Sequence, residues 1–427
     1  MLSETITVFM FTGDDRMPAM ASRASSARLS RRAFVGGSLA AAAATALPGG
    51  AFAAGTDRIR IGLVGCGGRG TGAALQAVAA DPGVVITSLG DLFADQIAST
   101  SAILRTALGP RFDCPAGQRF ASAEAGLQVI GADVDAVILA TPPHLRPGHV
   151  VAAVHAGRHV FCETPTAVDA AGVRTILAVA GEARRRGLSF VSGFHSRHHA
   201  PTVATITRIL DGAIGRPLRG VAISHIGLPW QRRPQAGSTL AEAVQRNWIS
   251  DDRLSGGGFV EHHVHAIDRG IWALGDEAPA TATAVQAPSF LPALPLASAA
   301  ATIHYRFDDG RSLEACLVRR EGIDMRIEES LEASAGRADL RDHTVVGRDE
   351  WRAAGSPAGG HAVCIASLIR AMRSAGRVDD LEAACRSTMI AVMGRMAAET
   401  SGPVAWRDLW PHVTSSSPLR PLQCDAV

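Results

Sequence analysis

The sequence predicts an α/β fold of two domains, a parallel sheet with crossover helices followed by an open, largely antiparallel sheet with helices of its own. Three observations predict it. An apolar strand runs directly into a glycine-rich turn and a helix; short apolar strands then recur between helical segments; and beyond Phe194 the pattern changes to longer strands punctuated by turns. At 427 residues the chain is too long for one ordinary core of roughly 100–200 residues. The reading divides it into a leader over 1–53, a first domain over 54–195 and a second over 196–427.

The leader comes first. Ser30-Arg31-Arg32-Ala33-Phe34-Val35 precedes a mildly apolar Ala/Gly run to Leu47, then Pro48 and Ala51-Phe52-Ala53. Twin arginine, weak apolar stretch and A-x-A in that order describe a Tat export signal, so the Tat machinery is an expected partner and the periplasm or medium the expected location. Met17 and Met20 are alternative starts, because the residues before Ser30 are untypical of a signal.

A buried parallel strand is read over 58–64, running directly into Gly65-Cys66-Gly67-Gly68-Arg69-Gly70; a helix follows over 71–80. Between strand and helix, a G-x-G-x-x-G turn has a mechanism. Gly65 permits the tight turn, Gly67 lets backbone approach a pyrophosphate, and Gly70 allows close helix packing, while the helix N-terminus offers free N–H groups. This is a Rossmann dinucleotide-binding pattern. A second strand over 84–89 ends at Gly90-Asp91, where a carboxylate would accept from both ribose hydroxyls; Leu92 and Phe93 follow rather than an arginine, which favours NAD over NADP. Strands over 136–140 and 159–162 finish in Thr141-Pro142-Pro143-His144 and Glu163-Thr164-Pro165, loops expected at the carboxyl ends of the sheet and so beside the cofactor. The first domain should close with a strand over 188–193.

In the second half, hairpins are expected over 301–307 with 311–318, and over 326–334 with 338–346, and a loop over 287–300. Residues 258–274 read as one helix, with Glu261 and His265 four apart on a shared face; Glu261 would then orient the His265 imidazole and raise its basicity. His262 and His263 would point elsewhere. The runs His195-Ser196-Arg197-His198-His199 and His262-His263-Val264-His265 raise a metal hypothesis, but neither HExxH nor CxxC spacing supports it, and His195, His198 and His199 read as solvated loop residues. Tyr305, the only tyrosine, sits mid-strand and reads as structural.

Composition narrows the chemistry further. A formal net charge of +2 gives no reason to expect nucleic acid. All permanent side-chain cations are arginines, since the chain has no lysine, and arginine cannot lend and recover a proton near neutral pH. Seven cysteines without CxxC spacing argue against zinc or a disulfide framework.

The segments IGLVGCGGRGTGAA, DAVILATPPHLRPGHV, HVFCETPTAVDAAGVR, LSGGGFVEHHVHAIDRGIWALG and STMIAVMGRMAA resemble the Gfo/Idh/MocA oxidoreductases, particularly their Tat-exported branch. The resemblance implies an NAD-dependent enzyme acting on a carbohydrate or polyol hydroxyl, with copies that assemble as dimers or tetramers. It implies His265 as base. It also implies that Arg197, Trp230, Arg246, Asn247 and Trp248 border the sugar pocket; packing at the domain interface is the alternative for the last four. One departure stands out: the family's catalytic lysine is here Thr164. A threonine carries no charge toward a developing alkoxide, and losing one positioned acid–base group costs about two to four orders of magnitude in rate. Three functions therefore compete: a net dehydrogenase, a redox-neutral glycoside-processing enzyme, and a catalytically silent NAD and sugar binder.

Overall fold

The computed structural model describes residues 58–410 except 235–236, 287–298, 356–357, 375 and 401. The leader and most of the 287–300 segment lie outside the described residues.

The first sheet holds β1 (Ile59–Val64), β2 (Val84–Asp91), β3 (Arg119–Ala121), β4 (Ala136–Leu139), β5 (His159–Cys162) and β6 (Phe190–Ser192) in the order β3-β2-β1-β4-β5-β6, all parallel. The order reverses beside β1, so the crevice at its carboxyl end is where ligands of such sheets bind. Buried on both faces, the strands are near-continuous in apolar residues, as parallel sheets require. The helix Gly68–Ala80 buries Gly70, Thr71, Ala73, Ala74, Ala77 and Val78, a stripe of small side chains that lets it lie close to the sheet.

The second sheet has nine strands: β7 (Pro217–Ile226), β8 (Thr281–Gln286), β9 (Ala299–Arg306), β10 (Ser312–Arg319), β11 (Arg326–Ala333), β12 (Gly336–Asp339), β13 (Thr344–Val346), β14 (Glu350–Arg352) and β15 (Val404–Ala405), ordered β14-β13-β12-β11-β7-β10-β9-β8-β15. Only β7 and β10 pair in parallel. The β9–β10 hairpin falls where sequence places it. The strand expected over 338–346 is instead two, β12 and β13, because Asp339 accepts from the backbone N–H groups of Arg341 and Asp342 and turns the chain. Helices Val264–Ala273 and Leu381–Thr400 pack on the sheet, and the fully buried Tyr305 donates its hydroxyl to the Ile390 carbonyl, the structural role expected of it.

A boundary at 195 does not describe the packing. The helix Gly360–Arg373 returns to the first domain, with Cys364, Ile365, Leu368 and Ile369 in one core with Ala73, Ala77 and Val78. Arg373 grips Asp81 at 2.8 and 3.0 Å, and the Phe190 N–H donates to the Val378 carbonyl. The apolar face of this helix finds its complement some 290 residues upstream, a pairing that local pattern does not encode.

Candidate active site

The glycine turn is built as its spacing requires. Gly65 leaves β1 with φ of +95°, and a Cβ there would lie 2.6 Å from the Ala140 carbonyl carbon. A Cβ on Gly70 would lie 2.0 Å from the Gly65 carbonyl oxygen, so the helix approaches the strand only because the side chain is missing. A Cβ on Gly67 or Gly68 would meet nothing within 4 Å. The turn is thus tight where it packs and open where a diphosphate would lie. No side chain caps the helix N-terminus, leaving its first N–H groups for a ligand.

Asp91 closes the cradle from β2. One carboxylate oxygen accepts from the Cys66 N–H at 2.7 Å and the other from the Phe93 N–H at 2.9 Å, so the side chain organises the turn. Burial pushes its carboxyl above the usual range, a cost that further donors such as ribose hydroxyls offset. Thr100 donates to the Cys66 carbonyl at 2.7 Å and shares a 2.8 Å bond with Thr71, fixing the turn from behind. These features fit a dinucleotide.

On the other side of β1, Arg146 ties two loops together. Buried at 4% exposure, it donates to the carbonyls of Thr141 (2.9 Å), Glu163 (3.1 Å) and Pro165. Pro142 and Pro143 open the turn that follows, their carbonyls accepting from the Leu145 and Arg146 N–H groups. The His144 ring reaches the Leu254 carbonyl at 3.1 Å, a link to the second domain. Arg69, from the glycine turn, places its Nε 2.6 Å from a Glu163 carboxylate oxygen, so the cradle and the Glu163-Thr164 loop face each other.

Thr164 in turn meets His265, its Oγ1 lying 3.2 Å from the imidazole Nε2 across the domain boundary. Glu261 does not join them. The expected continuous helix is two, Gly257–Glu261 and Val264–Ala273, interrupted where the fully buried His263 bonds Ser224 Oγ and the Ala222 carbonyl on β7. The interruption removes the shared face. Glu261 turns to Arg319, 3.9 Å away, and His265 Nδ1 has no hydrogen-bond partner among the described residues. Burial, then the charges of Arg269 and neighbouring imidazoles, holds His265 down to about 3. The neutral ring is thus set by desolvation and cations, the reverse of the carboxylate-assisted base expected from spacing.

Two further imidazoles complete the junction. The His195 ring lies 5.1 Å from that of His265 and 4.0 Å from that of His361, whose own value burial lowers to about 4. His195 is therefore a cleft residue rather than a solvated loop residue, and His198 sits 3.7 Å from Asp380. Sequence reasoning missed Arg146 and His361 altogether. Nothing local marks them: one reads as a helix start, the other follows Gly359-Gly360 on a helix whose docking is tertiary. Among the described residues no cluster of three or more His, Cys, Asp or Glu is arranged to hold a metal ion.

The remaining candidates part company. The Arg197 guanidinium is taken up by Asp268 and Asp276 at 2.7–3.2 Å and lies over the Trp272 ring. Arg246 lies at the other end of the cofactor crevice, paired with Asp95, and Asn247 bonds both backbone groups of Arg232. Arg246 thus reaches across to the first domain, whereas these bonds of Asn247 stay within the second. Trp230 and Trp248 meet edge to face at 6.3 Å, with Trp230 42% exposed.

Residues 59–190 match the Gfo/Idh/MocA family profile, described as an oxidoreductase family with an NAD-binding Rossmann fold. Among curated relatives, 1,5-anhydro-D-fructose reductase of Ensifer adhaerens is 35% identical over 25% of this chain and 32% of its own length. Inositol 2-dehydrogenase 3 of Saccharopolyspora erythraea is 28% identical over 51% and 54%. The chain thus spans about a third to a half of the length of these relatives. Aldose-aldose oxidoreductase from Caulobacter crescentus shares the fold with a TM-score of 0.64 at 16% identity, over 82% of this chain and 99% of that one. With a parallel sheet, an open glycine turn and a carboxylate at the next strand tip already in place, residues 59–190 match, in fold as in sequence, the NAD-binding Rossmann domain of the Gfo/Idh/MocA oxidoreductases.

Proposed function

We propose that the chain is an NAD-dependent oxidoreductase acting on a carbohydrate or polyol hydroxyl, with its cofactor tightly held. One observation carries the reading: the open cradle at Gly67 and Gly68 is joined through Arg69 and Glu163 to the Thr164–His265 pair. The relatives that reduce anhydrofructose or oxidise inositol support the substrate class. Bound NAD supplies the hydride acceptor. The glycine turn and Asp91 hold its diphosphate and adenosine ribose, and Asp91 with no arginine following favours the form without a 2′-phosphate. Arg146 keeps the Thr141 and Glu163 loops at a set separation. His265 Nε2, neutral at working pH, is the site that takes the hydroxyl proton, with Thr164 Oγ1 holding the ring in place.

A second reading has its own observation. Thr164 brings no charge, His265 Nδ1 has no carboxylate to steady an imidazolium, and the charges acting on the ring are cationic. That environment suits slow net oxidation, and equally a redox-neutral step on a glycoside or a silent sugar binder. Releasing the nucleotide by denaturation and identifying it by mass spectrometry tests the cofactor; a protein that carries none and takes up none sinks the enzyme reading. Assaying polyols, aldoses and glycosides for NADH formation and for cleavage separates the rest, since cleavage without NADH marks the redox-neutral variant.

Export by the Tat pathway to the periplasm or medium belongs to the same proposal, because a cofactor acquired before export must travel with the folded protein. Replacing Arg31 and Arg32 by lysines and fractionating cells tests it. Unchanged location would end that part of the proposal.

A further inference from the structure

The second domain reaches the cofactor crevice at both ends of the sheet, and the Thr164–His265 and His144–Leu254 contacts lie on one side of β1. On the other side the helix Leu240–Arg246 ends beside Phe93 and Asp95, just past β2. Arg246, its side chain 10% exposed, forks onto Asp95 with two 3.0 Å bonds and lies 3.9 Å over the Phe93 ring. Phe93 is two residues from Asp91 and donates its N–H to that carboxylate. The guanidinium's third nitrogen, Nε, is buried and has no hydrogen-bond partner among the described residues. An orphaned donor on a nine-tenths buried side chain, stacked on the ring two residues past Asp91, is a group waiting for a ligand atom.

The segment is built to hold that donor still. Thr239 and Glu242 form a reciprocal capping box at the start of the helix Leu240–Arg246. Asn247 accepts from the Arg232 N–H at 2.7 Å and donates to its carbonyl at 3.0 Å, and the charge of Arg232 bears on Asp91.

We propose that Arg246 is a cofactor-positioning residue, supplied by the second domain, that covers the adenosine end of NAD and donates to it, so that the two domains hold the dinucleotide at both ends. This rests on the NAD-binding reading. A brace from another domain must part before the adenosine leaves, which accounts for tight retention without any extra contact at the nicotinamide.

The test separates the two ends of the cofactor. Affinities for ADP-ribose, which carries the adenosine end, and for nicotinamide mononucleotide, which does not, are measured by titration calorimetry for the parent, Arg246→Ala and Arg246→Lys, alongside the dissociation rate of NAD. Arg246→Ala should lose roughly tenfold in ADP-ribose affinity and release NAD correspondingly faster, with nicotinamide mononucleotide binding unchanged within about twofold. Arg246→Lys, which keeps charge but loses the fork, should fall between. Equal loss of both ligands, or no loss of either, overturns the brace while leaving cofactor binding intact. A parent that binds neither ligand overturns the cofactor reading itself. Should Arg246→Ala not fold, Asn247→Ala, which frees the segment at its other anchor, must show the same selective loss.

Discussion

The glycine turn and the Thr164–His265 junction lie at the carboxyl ends of the same sheet, yet they are built differently. The turn draws its strand, glycines, helix and carboxylate from residues 59–91, with Thr100 behind it, and its shape is set by backbone geometry that a few nearby side chains fasten. The junction takes Thr164, His195, His265 and His361 from four elements of two domains, and its properties come from which side chains happen to be neighbours. Spacing anticipates the first well. For the second it suggests a Glu261–His265 pair that packing dissolves.

Removing what holds the junction together is the hardest test of that contrast. Arg197→Ala strands the buried Asp268 without its cation and leaves Asp276 to Arg386 alone, and should cost about 3–5 kcal/mol of stability by urea unfolding. If Arg197 reads sugar instead, stability holds and substrate affinity alone falls. In the turn, Gly70→Ala drives a methyl against the Gly65 carbonyl and should cost about 1–3 kcal/mol while abolishing NAD retention. Normal retention in this variant would mean the turn is not the cradle.

Acid should act on the second domain more than the first. Burial lowers His263 to about 4 against 6.5 in the unfolded chain, so between those values the unfolded state binds a proton the native state refuses. Stability is complete above pH 6.5 and declines as pH falls; from pH 7 to 5 this one ring removes about 2 kcal/mol. His263→Gln should flatten that decline, and an unaltered slope contradicts it.

The smaller effects bear on chemistry. His265→Ala should lower turnover about a hundredfold with little change in NAD content, as expected of a lost proton acceptor. Thr164→Lys should raise turnover in a dehydrogenase and do nothing in a silent binder. Glu261→Gln should change the rate less than tenfold, since the carboxylate faces Arg319; a loss matching that of His265→Ala would restore the pairing that spacing suggests.

How far the chain could be read in advance follows from range. Strand-turn-helix over 59–80, Asp91 after β2 and the β9–β10 hairpin depend on residues a few positions apart, where sterics and hydrogen bonding act on contiguous backbone. The break at His262-His263 was invisible because its cause, the bonds from His263 to β7, lies some 40 residues away. For Arg246 the residue type says less than the fold: a guanidinium announces that it will find an anion or a ring, not that these will be Asp95 and Phe93.

Sequence by itself determined the parallel sheet, the open glycine turn, the carboxylate beside it and the uncharged side chain of Thr164. Only the tertiary structure decided which imidazoles meet, that His265 is desolvated beside Arg269 rather than steadied by Glu261, and that the second domain reaches Asp95 and Phe93. The physical reason is that a turn's conformation is a property of its own dihedral angles, whereas the basicity of a buried ring is the sum of charges and lost water brought to it by segments from the whole chain.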